Sequence, residues 1–250
     1  MRPILFIIGA QRSGSTSLAS AFEASGAFVL GTEPPESRLL LHSEDPGRRL
    51  RQIADQAVTS SSSAWIVEKS TTYIEKPEAA YAASRVADAK AIAILRNPVS
   101  RAVSNYWFTR SNGIEELSIE AAFQSANLHR EWNGAIFSTS PFAYLQRSAY
   151  STLLGPWLDA LGPSLHILIL EELAESLESP SALALTDLGI DPQLLSIPRK
   201  NASSSYPQAG EELLSQLSHL LLPEIYWVEH LLQRPLPAWR SVSAQALGPY

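Results

Sequence analysis

At 250 residues the chain is long enough for a full α/β core, and an apolar fraction of 45% with a charged fraction of 18% suits a globular protein in water. A net charge of −6 argues against a nucleic-acid binder, while leaving room for a local positive pocket that takes a small anion. There is no cysteine, which excludes disulfides, thiolate nucleophiles and thiolate metal sites and fits a cytoplasmic location.

In chain order, Arg2 followed by the apolar run 3–8 has a faint look of a signal peptide. Its apolar core is short, however, and the residues behind it read as a nucleotide-binding turn, so the run is expected to be the first buried strand, Ile4–Ile8. Further strands are expected at Trp65–Val67, Ala91–Leu95 and His166–Leu170, with a weaker one at Ala27–Leu30. None of them alternates strictly, as befits strands covered on both faces. The spacing of apolar residues predicts helices over Thr16–Ala24, Arg48–Val58, Glu78–Val86, Val99–Arg110, Ile119–His129, Leu145–Leu161, Glu211–Leu222 and Pro223–Leu232. Pro98 suits the first position of its helix, with Asn97 as the cap. Ser60–Ser63 reads as a surface loop and Asn112–Gly113 as a turn, while Gly134–Ser140 and Asn201–Gln208 are longer loops placed to frame a binding site. No apolar run approaches the roughly 20 residues that span a bilayer. Alternating strands and helices predict one α/β domain over residues 1–250, a P-loop-type three-layer fold with a central parallel β-sheet flanked by helices.

Two motifs carry chemistry. Gly9–Ser17 follows the first strand and opens a helix, and its glycines and small residues allow successive backbone N–H groups to converge on an anion. A nucleotide kinase would place a lysine immediately after the second glycine. Here Ser15 stands at that position, and the positive charge sits inside the loop at Arg12. The plain alternative is a glycine-containing turn of any α/β protein. The second motif runs from a buried strand into a helix across Ile94–Tyr106. Arg96 comes at the carboxyl end of the strand, where open α/β sheets bind ligands, and a guanidinium fork matches a phosphate. Ser104 lies about two turns into the helix, within reach of an anion held by Arg96. Arg101 is equally suited to a structural pairing and to a ligand contact. The five histidines show no metal-like spacing.

Together the motifs resemble those of the sulfotransferases that use 3′-phosphoadenosine 5′-phosphosulfate (PAPS). Gly9–Ser17 is similar to the family's 5′-phosphosulfate loop. Leu95–Tyr106 matches its 3′-phosphate motif: Leu-Arg, Asp or Asn, Pro, and then Arg, Ser and Tyr at fixed spacing. Val67–Tyr73 and Gly31–Pro35 resemble segments of the glycan and heparan-type branch, the latter carrying that branch's catalytic glutamate. Pro35 departs from the branch pattern, and Glu36-Ser37 replaces an aromatic pair. Arg147–Tyr150, Arg199–Ser203 and Leu231–Trp239 resemble later family segments.

The resemblance implies a bacterial-type soluble enzyme with PAPS as sulfonate donor, adenosine 3′,5′-bisphosphate (PAP) as product and no metal. It implies Glu33 as general base, Arg12 at the bridging oxygen, and Lys69 at the sulfonate or the acceptor. Ser13, Gly14, Ser15, Thr16 and Ser17 would cradle the 5′-phosphate, Arg96 and Ser104 would hold the 3′-phosphate, and Arg199 and Lys200 would close over the cofactor. The expected acceptor is a hydroxyl or amine of a small molecule, lipid or carbohydrate. Two alternatives stand beside this reading: a P-loop small-molecule kinase, disfavoured by Ser15, and a PAPS-binding module without catalysis.

Overall fold

A computed structural model describes residues 2–31, 36–57, 65–124, 130, 132, 140–195 and 209–240. The chain divides into two compact units, Met1–Leu95 with Leu153–Ile197, and Arg96–Thr152 with Pro198–Tyr250. The strands are β1 (Ile4–Gly9), β2 (Phe28–Leu30), β3 (Ile66–Lys69), β4 (Lys90–Leu95) and β5 (Leu165–Ile169). The helices are α1 (Ser15–Ala24), α2 (Leu39–His42), α3 (Pro46–Ala57), α4 (Pro77–Ser84), α5 (Pro98–Ser111), α6 (Ile119–Gln124), α7 (Tyr150–Leu161), α8 (Leu170–Glu175), α9 (Pro180–Asp187), α10 (Glu211–Leu232) and α11 (Pro237–Arg240).

The first unit is built on one parallel sheet in the order β2-β3-β1-β4-β5. All five expected strands are present, and the fold class is the expected one, a parallel sheet flanked by helices. Side chains of a strand alternate between faces. Leu5 and Ile7 of β1 therefore join Val67, Ile92, Ile94 and Leu168 against Leu18 and Phe22 of α1 and Ala182 and Leu185 of α9. Phe6 points the other way and meets Tyr73 edge-on, with ring centroids 6.4 Å apart. Because β1 is covered on both sides, all six of its residues are buried, and that explains its unbroken apolar run. From β1 the chain first builds β2 and β3 on one side, then crosses to β4 and β5 on the other. Such a reversal leaves an opening at the carboxyl ends of the central strands, the usual ligand position in open α/β sheets.

The core of the second unit is helical. Val99, Val103 and Tyr106 of α5 pack with Phe123 of α6, Tyr144, and Leu214, Leu217 and Leu221 of α10. Asn97 caps α5 as expected, its side-chain oxygen accepting from the amides of Val99 and Ser100 at 3.0 Å each. Two expectations are corrected here. The expected break at Pro223 is absent, and α10 runs unbroken from Glu211 to Leu232. Leu213, Leu214, Leu217, Leu221, Ile225 and Val228 form one buried stripe along it, with Pro223 on the exposed side. A mid-helix proline costs about 3 kcal/mol, less than the combined gain from the six buried aliphatic side chains of the stripe at ~1.5–3 kcal/mol each. The expected helix Leu145–Leu161 instead opens as a 3-10 turn, Gln146–Ser148, and α7 begins at Tyr150. Ser148 explains the interruption. Its hydroxyl donates to the Pro98 carbonyl at 2.8 Å and accepts from Arg101 Nε at 2.7 Å. Of the expected helix Ile119–His129, residues beyond Gln124 lie outside the described residues, as do Ser60–Ser63, residues 134–139 of the expected loop Gly134–Ser140, and Asn201–Gln208. Among the described residues no helix is long and apolar enough to cross a membrane.

Candidate active site

The loop from β1 into α1 belongs to the first unit and is pinned at its start, where the Ala10 amide donates to the Ile94 carbonyl of β4 at 2.7 Å. Arg12 has φ 67°, in the left-handed region, and Gly14 follows at φ 89° as the N-cap of α1. Glycine brings no side-chain oxygen to that cap, so the start of α1 is left without a side-chain cap and presents the positive end of the helix. Ser13, between the two left-handed residues, is fully buried, and its hydroxyl has no hydrogen-bond partner among the described residues. Buried hydroxyls are normally satisfied. A loop with uncapped amides and a spare buried hydroxyl has the donor chemistry of an anion cradle, and it fits the phosphate end of a nucleotide.

At the carboxyl end of β3, next to β1 in the sheet, Lys69 is 7% exposed. Its ammonium donates to the Gly31 carbonyl at 3.5 Å and to Glu36 Oε1 at 3.4 Å. Glu36 accepts four further hydrogen bonds: from Ser70 Oγ at 2.7 Å, the Thr71 amide at 3.0 Å, Thr71 Oγ1 at 3.1 Å and Thr72 Oγ1 at 3.4 Å. Burial pushes the Glu36 carboxyl up, but the Ser70 and Thr71 bonds and the Lys69 charge outweigh it and hold the group below the usual carboxylate value. Glu36 is thus ionised and firmly held, a residue that the sequence reading noted only as a departure from a motif. Its neighbour Glu68, fully buried on β3, behaves oppositely. Burial raises its pKa despite donors from Ser37, Tyr73 and the Leu39 amide. These bonds hold Ser37–Leu39 to β3, a structural task.

In the second unit, Arg96 follows the last residue of β4 and is 1% exposed. Its backbone is gripped by Tyr150, whose hydroxyl donates to the Arg96 carbonyl at 2.7 Å and accepts from the Arg96 amide at 3.4 Å. Asn97 adds a bond from Nδ2 to the Trp239 carbonyl at 2.7 Å. Ser104 is fully buried on α5. Arg101 is fully buried too, and the structure resolves its two possible roles. The guanidinium donates to Ser148 Oγ, to Asn105 Oδ1 at 3.2 Å and to the Tyr144 carbonyl, so Arg101 ties α5 to the turn before α7. Glu33, Arg199 and Lys200 lie outside the described residues.

No protein-family model and no curated protein matches the chain. Among solved structures, a sulfotransferase from Alicyclobacillus acidocaldarius superposes with a TM-score of 0.69 at 20% identity, covering 96% of this chain and 100% of that one. The chain has the sulfotransferase fold. Two sulfotransferase domains overlap less well, each with a TM-score of 0.45. One, from the curacin biosynthetic pathway, is 19% identical over 87% of this chain and 98% of that one. The other, from the Synechococcus PCC 7002 olefin synthase, is 16% identical over 88% and 94%. Within the sulfotransferase fold, the loop Gly9–Ser17 and the carboxyl end of β3 occupy neighbouring strands of one sheet edge.

Proposed function

We propose that the chain is a PAPS-dependent sulfotransferase acting on a hydroxyl or amine of a small-molecule, lipid or carbohydrate acceptor. The observation that carries this reading is the β1–α1 loop: a glycine-capped anion cradle with Ser15 in the kinase lysine's place and a buried, unpartnered Ser13 hydroxyl. The fold shared with the Alicyclobacillus sulfotransferase supports it.

In this reading the donor supplies a sulfonate carried on a 5′-phosphate. Ser13, Gly14, Ser15, Thr16 and Ser17 hold that phosphate by amides and hydroxyls, and Arg12 takes up the negative charge that grows on the bridging oxygen. Glu33 accepts the acceptor's proton while the acceptor oxygen or nitrogen bonds to sulfur and the sulfur–oxygen bond to the phosphate breaks. Lys69 faces the transferring group or the acceptor. Arg96 and Ser104 take the 3′-phosphate, and Arg199 and Lys200 complete the cofactor side.

Thermal unfolding with PAP or with ATP–Mg²⁺ tests the donor. At 100 times its dissociation constant a ligand of the native state adds about 2.7 kcal/mol, roughly 5–10 °C for a chain of this size. PAP is expected to produce such a rise and ATP–Mg²⁺ a smaller one; the reverse order would sink the proposal in favour of a kinase. Removing the 3′-phosphate grip should act on binding. Charge-assisted hydrogen bonds are worth about 1.5–3 kcal/mol, so Arg96→Ala is expected to weaken PAP binding by roughly 10- to 100-fold in calorimetric titration. An unchanged dissociation constant would remove Arg96 from the site.

A further inference from the structure

Five donors converge on Glu36: the Lys69 ammonium, the hydroxyls of Ser70, Thr71 and Thr72, and the Thr71 amide, all at 2.7–3.4 Å. They come from four consecutive residues, 69–72, at the carboxyl end of β3. The cup is well shielded, with side-chain exposures of 9% for Lys69 and 20% for Glu36. A carboxylate offers these five donors two oxygens with about four lone-pair directions, all in one plane. A tetrahedral sulfate-like group offers at least three oxygens, disposed in space rather than in a plane, and so suits a cup that closes from several directions. A buried ammonium also demands an anion beside it, and Glu36 is the anion that the chain itself provides.

We propose that the cup at Lys69–Thr72 is a binding site for a tetrahedral oxyanion, and that Glu36 is its internal occupant and competitor. A sulfate-like group enters when the Glu36 carboxylate withdraws, and the charge on Lys69 passes from one anion to the other without standing unpaired. Glu36 therefore sets the affinity of the cup: it keeps Lys69 paired when no ligand is present and releases weakly bound anions. Which anion arrives in the cell rests on the sulfonate-transfer reading. The preference for an oxyanion over the open cup does not.

Inorganic sulfate is the probe, titrated calorimetrically into the full chain and its variants, each in the presence and absence of PAP. Glu36→Ala empties the cup and is expected to bind sulfate at least 10-fold more tightly than the parent chain. Adding Ser70→Ala to that variant should abolish most of the gain. Glu36→Gln retains the side-chain shape without the charge and protects the test against a misfolded alanine variant; its expected gain is about 3-fold, smaller because an uncharged side chain still fills the space. Sulfate affinity equal to the parent's in a folded Glu36 variant, or a gain that survives Ser70→Ala, would overturn the proposal. PAP binding to the parent chain is read separately. Its failure would count against the donor reading, and sulfate held at the β1–α1 loop would then be common to all variants and cancel in the comparison.

Discussion

Glu33→Gln is expected to lower the rate of sulfonate transfer by about 100- to 10,000-fold, the usual contribution of a positioned general base, at saturating donor and acceptor. PAP affinity should stay within about twofold, because glutamine preserves shape and removes only the ability to take a proton. The two effects must separate. An acceptor hydroxyl cannot remain protonated as it bonds to sulfur, so loss of the base acts on the chemical step alone. The choice of residue rests on the family resemblance of Gly31–Pro35. Gly31 and Glu36 are both held by the Lys69 ammonium at the carboxyl end of β3. That end lies beside β1, whose last residue opens the β1–α1 loop. The measurement is transfer of labelled sulfonate with an acceptor panel, paired with titration of PAP. An unchanged rate would move the base elsewhere, and lost PAP affinity would show that Glu33 serves binding.

How much of this was legible in the sequence depended on how local the deciding interactions are. The five strands were readable because burial on both faces leaves almost no polar residue in them, as in Ile4–Gly9. The start of α5 was readable because Asn97 and Pro98 settle it within four residues. The helices α2, α8, α9 and α11 were not anticipated. Each is short, at four to eight residues, which leaves apolar spacing little room to stand out. Pro223 misled for a different reason: its local cost is real, but a buried stripe spanning the whole of α10 decides the outcome.

The same division runs through the candidate site. The β1–α1 loop is contiguous, so its glycines, its hydroxyls and its missing lysine could all be read in order. The holding of Glu36 could not, because Lys69 is 33 residues away from it in sequence and the two meet only once β3 is in the sheet. Tyr150 grips Arg96 across 54 residues, a contact hidden in sequence although the segment Arg147–Tyr150 had a family look. Arg101 shows both sides of the limit. Its bond to Asn105 is a one-turn helix contact, whereas its bonds to Ser148 and Tyr144 span 47 and 43 residues and turn an ambiguous arginine into a structural one.

The tightest constraint on the site is at Gly31, and Gly31→Ala is expected to cost roughly 3 kcal/mol or more, a large part of the ~5–15 kcal/mol that typically stabilises a folded chain. Two costs combine. Gly31 has φ +88°, where an L-residue with a Cβ is disfavoured by about 1–2 kcal/mol. A Cβ built there would also stand 2.2 Å from the Lys69 carbonyl oxygen, a backbone atom of a sheet strand that has little freedom to retreat. Gly26 separates the two costs. It has the same φ of +88°, yet a Cβ at Gly26 meets nothing within 4 Å. Gly26→Ala should therefore show the backbone cost alone, about 1–2 kcal/mol by urea unfolding, and Gly31→Ala that cost plus the displacement of Lys69. Equal midpoints for the two variants would mean that the Gly31 segment lifts away from β3 at negligible cost, and the grip of Lys69 on Gly31 and Glu36 would then be too weak to position anything. If the grip is firm, Gly31→Ala should loosen the anion cup along with the fold, because the strand end that must move to admit the methyl group carries Lys69 itself.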